Sequence, residues 1–158
     1  MALLIAVIFV TTAFLSVPIP TGYAHLGDAA IFICSVILPA PFSFITAALG
    51  AALADVATGY LIFAPITLVV KALMTLAFTS KSEKILCKRN LLAAFLAVII
   101  NIAGYYIGGA ILYGSLAAPL ADIPGNIAQG AVACAIFFPV ALFLDKNKTI
   151  SKIVKGNK

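Results

Sequence analysis

Residues 64–74 of the chain read Ala64-Pro65-Ile66-Thr67-Leu68-Val69-Val70-Lys71-Ala72-Leu73-Met74. Lys71 is the single charged residue in this run, and its neighbours are almost all apolar. An ammonium group inside a membrane helix costs about 3 kcal/mol or more, so such a lysine usually faces a cavity or a partner. A soluble protein could expose it to water instead, and the composition of the whole chain decides between these two settings.

The composition indicates an integral membrane protein. The 158 residues are 64% hydrophobic and 9% charged, whereas globular chains carry about 25% charged residues. A transmembrane helix needs about 20 residues, so this length allows about six of them joined by short loops. We therefore predict an all-α integral membrane fold, a six-transmembrane-helix bundle that forms a single domain over residues 1–158.

Prolines and polar residues indicate where these helices begin and end. Pro18 and Pro20 end the first helix, and a loop follows over residues 18–27. Asp28 is placed to cap the second helix, and the apolar start of the chain is interpreted as the first span rather than a signal peptide. The predicted helices cover residues 2–16, 28 to about 39, 42–58, 65–79, 91–112 and 124–144.

The nine other basic residues predict the orientation of the bundle. They fall in two patches, residues 81–89 and 146–158, which are separated by two predicted helices and therefore face the same side. The positive-inside rule places that side in the cytoplasm, which puts both termini there and attracts anionic membrane lipid. No basic stripe is interleaved with aromatic residues, so nucleic acid is not an expected partner.

The chain lacks the motifs of common enzyme and metal classes. It contains no G-x-x-x-x-G-K-[ST], G-x-S-x-G or H-E-x-x-H, which excludes a P-loop, a nucleophile elbow and a zincin site. Its three cysteines, Cys34, Cys87 and Cys134, form no C-x-x-C and suit small core positions. We expect no enzyme activity, no metal and no cofactor. Active uptake would need energy from a partner or from an ion gradient.

A set of polar side chains falls on the predicted helices and near their outer ends. Apart from Asn101, which lies deeper, we expect the set to cluster in the outer half and to line a ligand pocket open to the outside. Asn101 and Gln129 also suit hydrogen bonds between helices, and His25 suits the anchoring of its loop equally well. The candidate ligand-binding residues are His25, Asp55, Lys71, Asn101, Tyr105, Asn126 and Gln129.

A depth estimate links Asp55 to Lys71. At about 1.5 Å per residue, Asp55 lies ~6 Å from the outer end of the third helix and Lys71 lies ~9 Å from that of the fourth. Helical side chains tilt toward the N-terminus, so Lys71 would extend up towards Asp55. We expect an ion pair between them. Two roles stay open for the lysine: contact with a ligand, or a structural pair that holds two helices in register.

Four short motifs occur in order along the chain and resemble those of one membrane family. With the six-helix frame, they are similar to the S components of energy-coupling factor (ECF) transporters, and most closely to the hydroxymethylpyrimidine-type group. The resemblance covers nearly the whole chain. The motifs are Gly22-Tyr23-Ala24-His25-Leu26-Gly27-Asp28, Ala52-Leu53-Ala54-Asp55 before Gly59-Tyr60, Ala64-Pro65-x-Thr67-Leu68-x-x-Lys71-x-Leu73-Met74, and Ile123-Pro124-Gly125-Asn126-x-x-Gln129.

The resemblance implies a function. S components are multi-pass proteins of the prokaryotic cell membrane that capture a vitamin or vitamin precursor with high affinity, here a hydroxymethylpyrimidine or thiamine-related compound. They associate with a T component and two ATPase subunits, and they topple in the membrane to carry the ligand inward. In the family the loop after helix 1 and helices 4 to 6 form the pocket. An Ala-x-x-x-Ala on helix 1, here Ala2 and Ala6, contacts the T component.

One departure and two alternatives accompany the resemblance. The chain has no tryptophan, so stacking on a ligand ring would depend on Tyr or Phe. A self-sufficient ion-coupled carrier and a non-transport membrane scaffold remain open as other functions.

Overall fold

The computed structural model describes residues 1–20 and 22–147. Within them the chain forms six α-helices and one β-hairpin. Most of the lysine-rich tail, residues 148–158, lies outside the described residues, so its predicted side of the membrane stays a prediction. The elements in order are α1 (Ala2–Ala13), β1 (Ser16–Ile19), β2 (Gly22–His25), α2 (Gly27–Ile37), α3 (Ala40–Ala57), α4 (Ala64–Leu76), α5 (Lys88–Tyr113) and α6 (Ile123–Lys146), with 3-10 turns at Leu61–Phe63 and Ala118–Asp122.

The hairpin contradicts the all-α prediction, which has a loop at residues 18–27. Strand β1 pairs antiparallel with β2, with Ser16 opposite His25. Proline has no backbone donor and is tolerated in an edge strand, so Pro18 blocks the helix without preventing the strand. Helix α1 ends at Ala13, and Ser16 belongs to β1 instead of to the predicted first helix.

Three helical segments of the described chain are long and apolar enough to cross a membrane: Ala40–Ala57, Lys88–Tyr113 and Ala118–Lys146. Three other apolar helices are shorter, at Ala2–Ala13, Gly27–Ile37 and Leu61–Leu76. A straight span needs about 20 residues, so the shorter helices cross only where the bilayer thins around them. The order of six helices matches the sequence analysis, and the number of crossings stays a prediction.

Glycines on α5 bring that helix into close contact with α4. A Cβ at Gly104 would lie 2.5 Å from Cγ2 of Val70, and a Cβ at Gly108 would lie 2.6 Å from Cγ2 of Ile66. Small residues let helices approach closely in lipid, where dispersion is the main attraction between them. This glycine face therefore packs inside the monomer.

The basic loop between α4 and α5 lies at one end of the bundle, beside the end of α6. The carboxylate of Asp145 accepts hydrogen bonds from the backbone N–H groups of Ile85 at 2.8 Å and Leu86 at 2.9 Å. This contact places the first basic patch, residues 81–89, beside Lys146, where the second basic patch begins. The hairpin lies at the opposite end, where the side chain of Gln129 accepts a hydrogen bond from the backbone N–H of His25 at 2.9 Å.

An aromatic core fills the half of the bundle near the basic loop. The ring centroids of Phe32, Phe78 and Phe137 lie 5.3, 5.8 and 5.9 Å apart in their three pairs. All three rings are buried, and rings at these separations attract one another. The buried polar groups described below are gathered in the other half, near the hairpin.

We predict that Gly104→Ala destabilises the bundle. The added methyl group would collide with Val70, whose branched side chain has little freedom to move, and such overpacking costs about 1–3 kcal/mol. Thermal unfolding of the detergent-purified protein measures the loss. Adding Val70→Ala makes room for the methyl group and should recover part of the melting temperature. Equal melting temperatures for the wild type and Gly104→Ala would rule out this close packing.

Candidate functional site

A cavity lies at the hairpin end of the bundle. Its cavity volume is about 40 Å³, and it is partly open to the outside. Its walls come from the hairpin, α3, α5, α6 and the segments that precede α4 and α6. The lining residues are Ile19, Gly22, Tyr23, His25, Asp55, Tyr60, Phe63, Tyr105, Gly109, Asp122, Asn126 and Gln129.

Tyr23 makes the central aromatic contacts on one side of the cavity. Its ring centroid lies 4.8 Å from that of Tyr60 and 5.5 Å from that of His25, and its hydroxyl donates to Oδ1 of Asp55 at 2.6 Å. Burial, followed by this hydrogen bond to Asp55, raises the pKa of Tyr23 well above its usual value, so the phenol stays a donor. Aromatic faces held in this way offer a stacking surface for a planar ligand ring.

Lys71 lies behind the cavity in a fully buried ion pair. Its Nζ donates to Oδ1 of Asp28 at 2.6 Å and to Oδ1 of Asn101 at 2.7 Å. The ammonium also lies 5.1 Å from the ring centroid of Tyr105, which is a favourable cation–π distance. The other oxygen of Asp28 accepts a hydrogen bond from Nε2 of Gln129 at 2.7 Å. Both charges are thus paired and hydrogen-bonded, as buried charges must be.

Amide side chains connect this ion pair to the cavity wall. Nδ2 of Asn101 donates to Oδ1 of Asn126 at 3.2 Å, and Nδ2 of Asn126 donates to the carbonyl oxygen of Asp122 at 3.1 Å. Gln129 binds the buried carboxylate through its nitrogen and the hairpin backbone at His25 through its oxygen. Asn126 and Gln129 therefore already use both ends of their amides within the protein, and each oxygen retains a second lone pair for a ligand.

The predicted ion pair between Asp55 and Lys71 is wrong. Lys71 pairs with Asp28 on α2, and Asp55 accepts a hydrogen bond from Tyr23 instead. The predicted capping role of Asp28 is also wrong, because α2 already begins at Gly27 and has no side-chain cap. A carboxylate in the first turn of α2 can face the interior of the bundle, and from there it meets the lysine of α4.

The structure brings five of the seven predicted ligand-binding residues to the cavity wall: His25, Asp55, Tyr105, Asn126 and Gln129. Lys71 and Asn101 are fully buried and are not part of the lining. Two roles were left open for Lys71, contact with a ligand or a structural ion pair. The contacts of Lys71 are those of a structural ion pair. Tyr105 lines the cavity with its hydroxyl 2.8 Å from Oγ1 of Thr67.

Sequence reasoning missed Tyr23 and Tyr60 as wall residues. A signal was present, because each tyrosine directly follows a glycine, Gly22 or Gly59. Gly59 has a positive φ of 88°, a conformation that glycine adopts without steric cost. The chain reverses there, and the backbone N–H of Tyr60 donates to the carbonyl oxygen of Asp55 at 2.8 Å. The reversal places the Tyr60 ring beside that of Tyr23.

His25 is neutral in this wall. Its Nδ1 accepts a hydrogen bond from the backbone N–H of Gly27 at 3.2 Å, which leaves the ring hydrogen on Nε2. Burial, and after it the positive charge of Lys71, lowers the pKa of His25 to about 4. Among the described residues no group of three or more His, Cys, Asp or Glu side chains could hold a metal ion. The wall is suited to hydrogen bonding and stacking.

We predict that Lys71→Met strongly destabilises the protein. It leaves the carboxylate of Asp28 buried without its cation, and breaking a buried pair from one side costs about 3–5 kcal/mol. Thermal unfolding in detergent measures the loss. The double variant Lys71→Met, Asp28→Asn removes both charges and should recover part of it. Lys84→Met, in the exposed basic loop, is the control and should change stability by about 0.5 kcal/mol or less. A melting temperature unaffected by Lys71→Met would contradict the buried pair.

We predict that His25 takes up its proton only near pH 4. The unfolded chain binds that proton near pH 6.5, at the ordinary value for histidine. The free energy of unfolding should therefore fall as the pH is lowered from about 6.5 towards 4. His25 is the only histidine of the chain, so NMR of histidine-labelled protein follows this ring alone. A midpoint at its ordinary value would show that the ring is not buried as described.

Comparisons with known proteins agree with this architecture. A family model described as the S component of an ECF-type riboflavin transporter matches residues 1–146. A solved structure of the S component of a bacterial ECF transporter aligns over 90% of this chain and 91% of that chain, with a TM-score of 0.70 and 21% sequence identity. That similarity supports the fold. No curated protein sequence matches the chain.

The family match confirms the resemblance of the sequence motifs to ECF S components. It does not confirm the hydroxymethylpyrimidine-type group, because the matched model describes riboflavin transporters. S components are membrane proteins that capture the substrate for an ECF transporter, and they are not enzymes. Because the match spans nearly all of the described residues, this chain belongs to the family of S components of ECF-type riboflavin transporters.

Proposed function

We propose that this protein captures riboflavin with high affinity at the outer face of a prokaryotic cell membrane and delivers it to an ECF transporter. The family match supports riboflavin as the substrate. The single observation that carries the proposal is the cavity at the hairpin end, which is partly open to the outside and whose wall of tyrosines and amides suits one small, planar vitamin.

The chemistry of the wall fits the two parts of a flavin. A flavin joins a planar ring system, which can stack and hydrogen-bond, to a polyol chain, which hydrogen-bonds throughout its length. Tyr23 and Tyr60 offer ring faces for the first part. Asn126 and Gln129 offer amide oxygens with a free lone pair, and the Tyr105 hydroxyl is a further hydrogen-bonding group.

The charges of the wall favour a neutral substrate. Among the described lining residues are two carboxylates, Asp55 and Asp122, and no lysine or arginine. The charge of Lys71 is already bound to Asp28 behind the wall. A phosphate group would therefore meet carboxylates in a site of low dielectric, where like charges repel strongly.

The charge distribution supports an outward-facing cavity. The basic loop lies at the opposite end of the bundle from the hairpin, and the positive-inside rule favours the cytoplasm for that loop. Six crossings then place both termini in the cytoplasm and open the cavity to the outside. The three shorter helices can cross where the bilayer thins locally.

We further propose that α1 contacts the T component, which together with two ATPase subunits completes the transporter. Ala2 and Ala6 are exposed on α1. They line an apolar groove that α1 forms with Leu53, Val56 and Ala57 of α3. Small residues in such a groove allow a partner helix to approach closely.

Titration of the detergent-purified protein with riboflavin tests the function, and flavin fluorescence reports binding. We expect saturable binding without ATP, and riboflavin among the small molecules that mass spectrometry finds in the purified protein. Hydroxymethylpyrimidine and thiamine, which the sequence motifs suggest, are the comparison ligands, and a preference for either would replace riboflavin as the substrate. Binding of none of them would contradict capture and favour a scaffold. Uptake that persists in cells without the ATPases would indicate an ion-coupled carrier.

We predict that riboflavin binds at least about tenfold more tightly than its 5′-phosphate, a difference of about 1.4 kcal/mol. The reason is the repulsion between the phosphate and the carboxylates of the wall. Competition between the two flavins in the fluorescence titration measures the ratio. Equal affinities would show that the wall does not discriminate by charge.

We predict that Ala6→Leu weakens co-purification of the T component and leaves riboflavin affinity unchanged. The larger side chain fills the groove between α1 and α3 but lies away from the cavity. Ala103→Leu is the matched control, because Ala103 is an exposed alanine in an apolar groove that lies partly on α5. The same loss of the T component in both variants would argue against a specific contact through α1.

A further inference from the structure

Asp55 carries an oxygen that the described chain leaves without a hydrogen-bond partner. The residue is only 4% exposed and lines the cavity, and its Oδ2 is buried and unbonded among the described residues. A buried polar atom without a hydrogen bond is destabilising unless a ligand or an ordered water bonds to it, so each such atom requires an explanation.

The rest of the Asp55 carboxyl group is held firmly. Tyr23 donates to its Oδ1 at 2.6 Å, and the Tyr23 ring is packed against Tyr60 and His25. Lys71, the cation expected to pair with Asp55, is bonded to other residues. The Thr67 hydroxyl is close enough to the Asp55 carboxyl group to act on it, but it lies 2.8 Å from the Tyr105 hydroxyl and makes no hydrogen bond to Oδ2. The carboxyl group therefore borders the cavity with one oxygen bonded and the other available to accept.

Two threonines provide a comparison. Thr12 and Thr46 also carry buried side-chain oxygens without a partner in the described chain. Neither of them lines the cavity. Of the three unbonded oxygens found in the described residues, that of Asp55 is the one that belongs to a residue of the cavity wall.

His25 offers the opposite hydrogen-bonding group beside the Tyr23 ring. Its Nδ1 is bonded to the backbone of Gly27, so Nε2 carries the hydrogen. The wall around Tyr23 thus presents an acceptor at Asp55 and a donor at His25.

We propose that Oδ2 of Asp55 accepts a hydrogen bond from an N–H or O–H group of the substrate and thereby selects flavins that carry this donor. The inference rests on the proposed capture of riboflavin. Riboflavin has donors of both kinds, the imide N–H of the ring and the hydroxyls of the ribityl chain. An imide donor would place the flavin ring against Tyr23, and a hydroxyl donor would place the ribityl chain there.

Asp55→Asn tests the contact in the detergent-purified protein. The variant keeps the size of the side chain and an oxygen that accepts from Tyr23, but it places an NH2 group where Oδ2 was. Because a donor then meets a donor, we expect riboflavin affinity to fall about tenfold or more in the fluorescence titration. Thr46→Val is the matched control. It removes a buried, unbonded oxygen away from the cavity and should leave the affinity unchanged.

Two analogues identify the donor. 3-Methylriboflavin lacks the imide N–H, and lumiflavin lacks the ribityl chain. The analogue without the relevant donor should bind equally well to the wild type and to Asp55→Asn. It should also bind the wild type at least about tenfold less tightly than riboflavin does, a measurement that does not depend on how the variant folds.

Each outcome supports or overturns the inference. Riboflavin affinity unchanged by Asp55→Asn would overturn it, and so would a loss of affinity that persists with both analogues. A wild-type protein that binds no riboflavin would contradict the proposed function itself. The two failures are distinguishable, because the first requires a wild type that binds.

Discussion

The buried ion pair between Lys71 and Asp28 is the interaction on which the rest of the structure depends. A lysine and an aspartate removed from solvent must be paired and fully hydrogen-bonded, or the bundle pays several kcal/mol for each charge (on the order of 3–5 kcal/mol when one partner is lost). The pair joins α4 to α2, and the amides of Asn101 and Gln129 extend it to α5 and α6. A buried pair is a weak source of stability, but this one leaves the four helices little freedom to slide.

The same network determines the shape of the cavity. Gln129 bonds to Asp28 with its nitrogen and to the backbone of His25 with its oxygen. The hairpin is therefore placed by a buried charge that does not itself touch the cavity. Most polar groups of the wall are already bound to the protein, so recognition depends on a few unbonded atoms and on the aromatic faces around Tyr23. Side chains that are already bonded in this way have less conformational freedom to lose when a ligand binds.

Much of the fold could be predicted from the sequence, because its cause is local. Composition indicates the membrane, and prolines and polar breaks separate six helices in the observed order. The hairpin could not be predicted in this way, since strand pairing depends on contacts that no local pattern encodes, and Pro18 is compatible with either a loop or an edge strand.

The predicted partner of Lys71 was wrong for a related reason. Depth along a helix is readable from residue counts, but the choice between Asp55 and Asp28 depends on which helices are neighbours. Five of the predicted site residues line the cavity because they all belong to the polar set predicted in the outer half of the bundle. The placement of Tyr23 and Tyr60 depends instead on chain reversals.

The unequal lengths of the helices have a consequence for the surrounding lipid. Helix α1 has 12 residues and packs against α2 and α3, whereas α5 has 26 residues and packs against α4 and α6. At about 1.5 Å per residue these helices measure ~18 Å and ~39 Å, on either side of the ~30 Å thickness of a bilayer's hydrocarbon core. If both helices cross the membrane as proposed, the bilayer must thin beside α1, and it must thicken beside α5 unless that helix tilts. A bundle of such unequal height would favour the upright position in the membrane less than a cylinder of uniform height does.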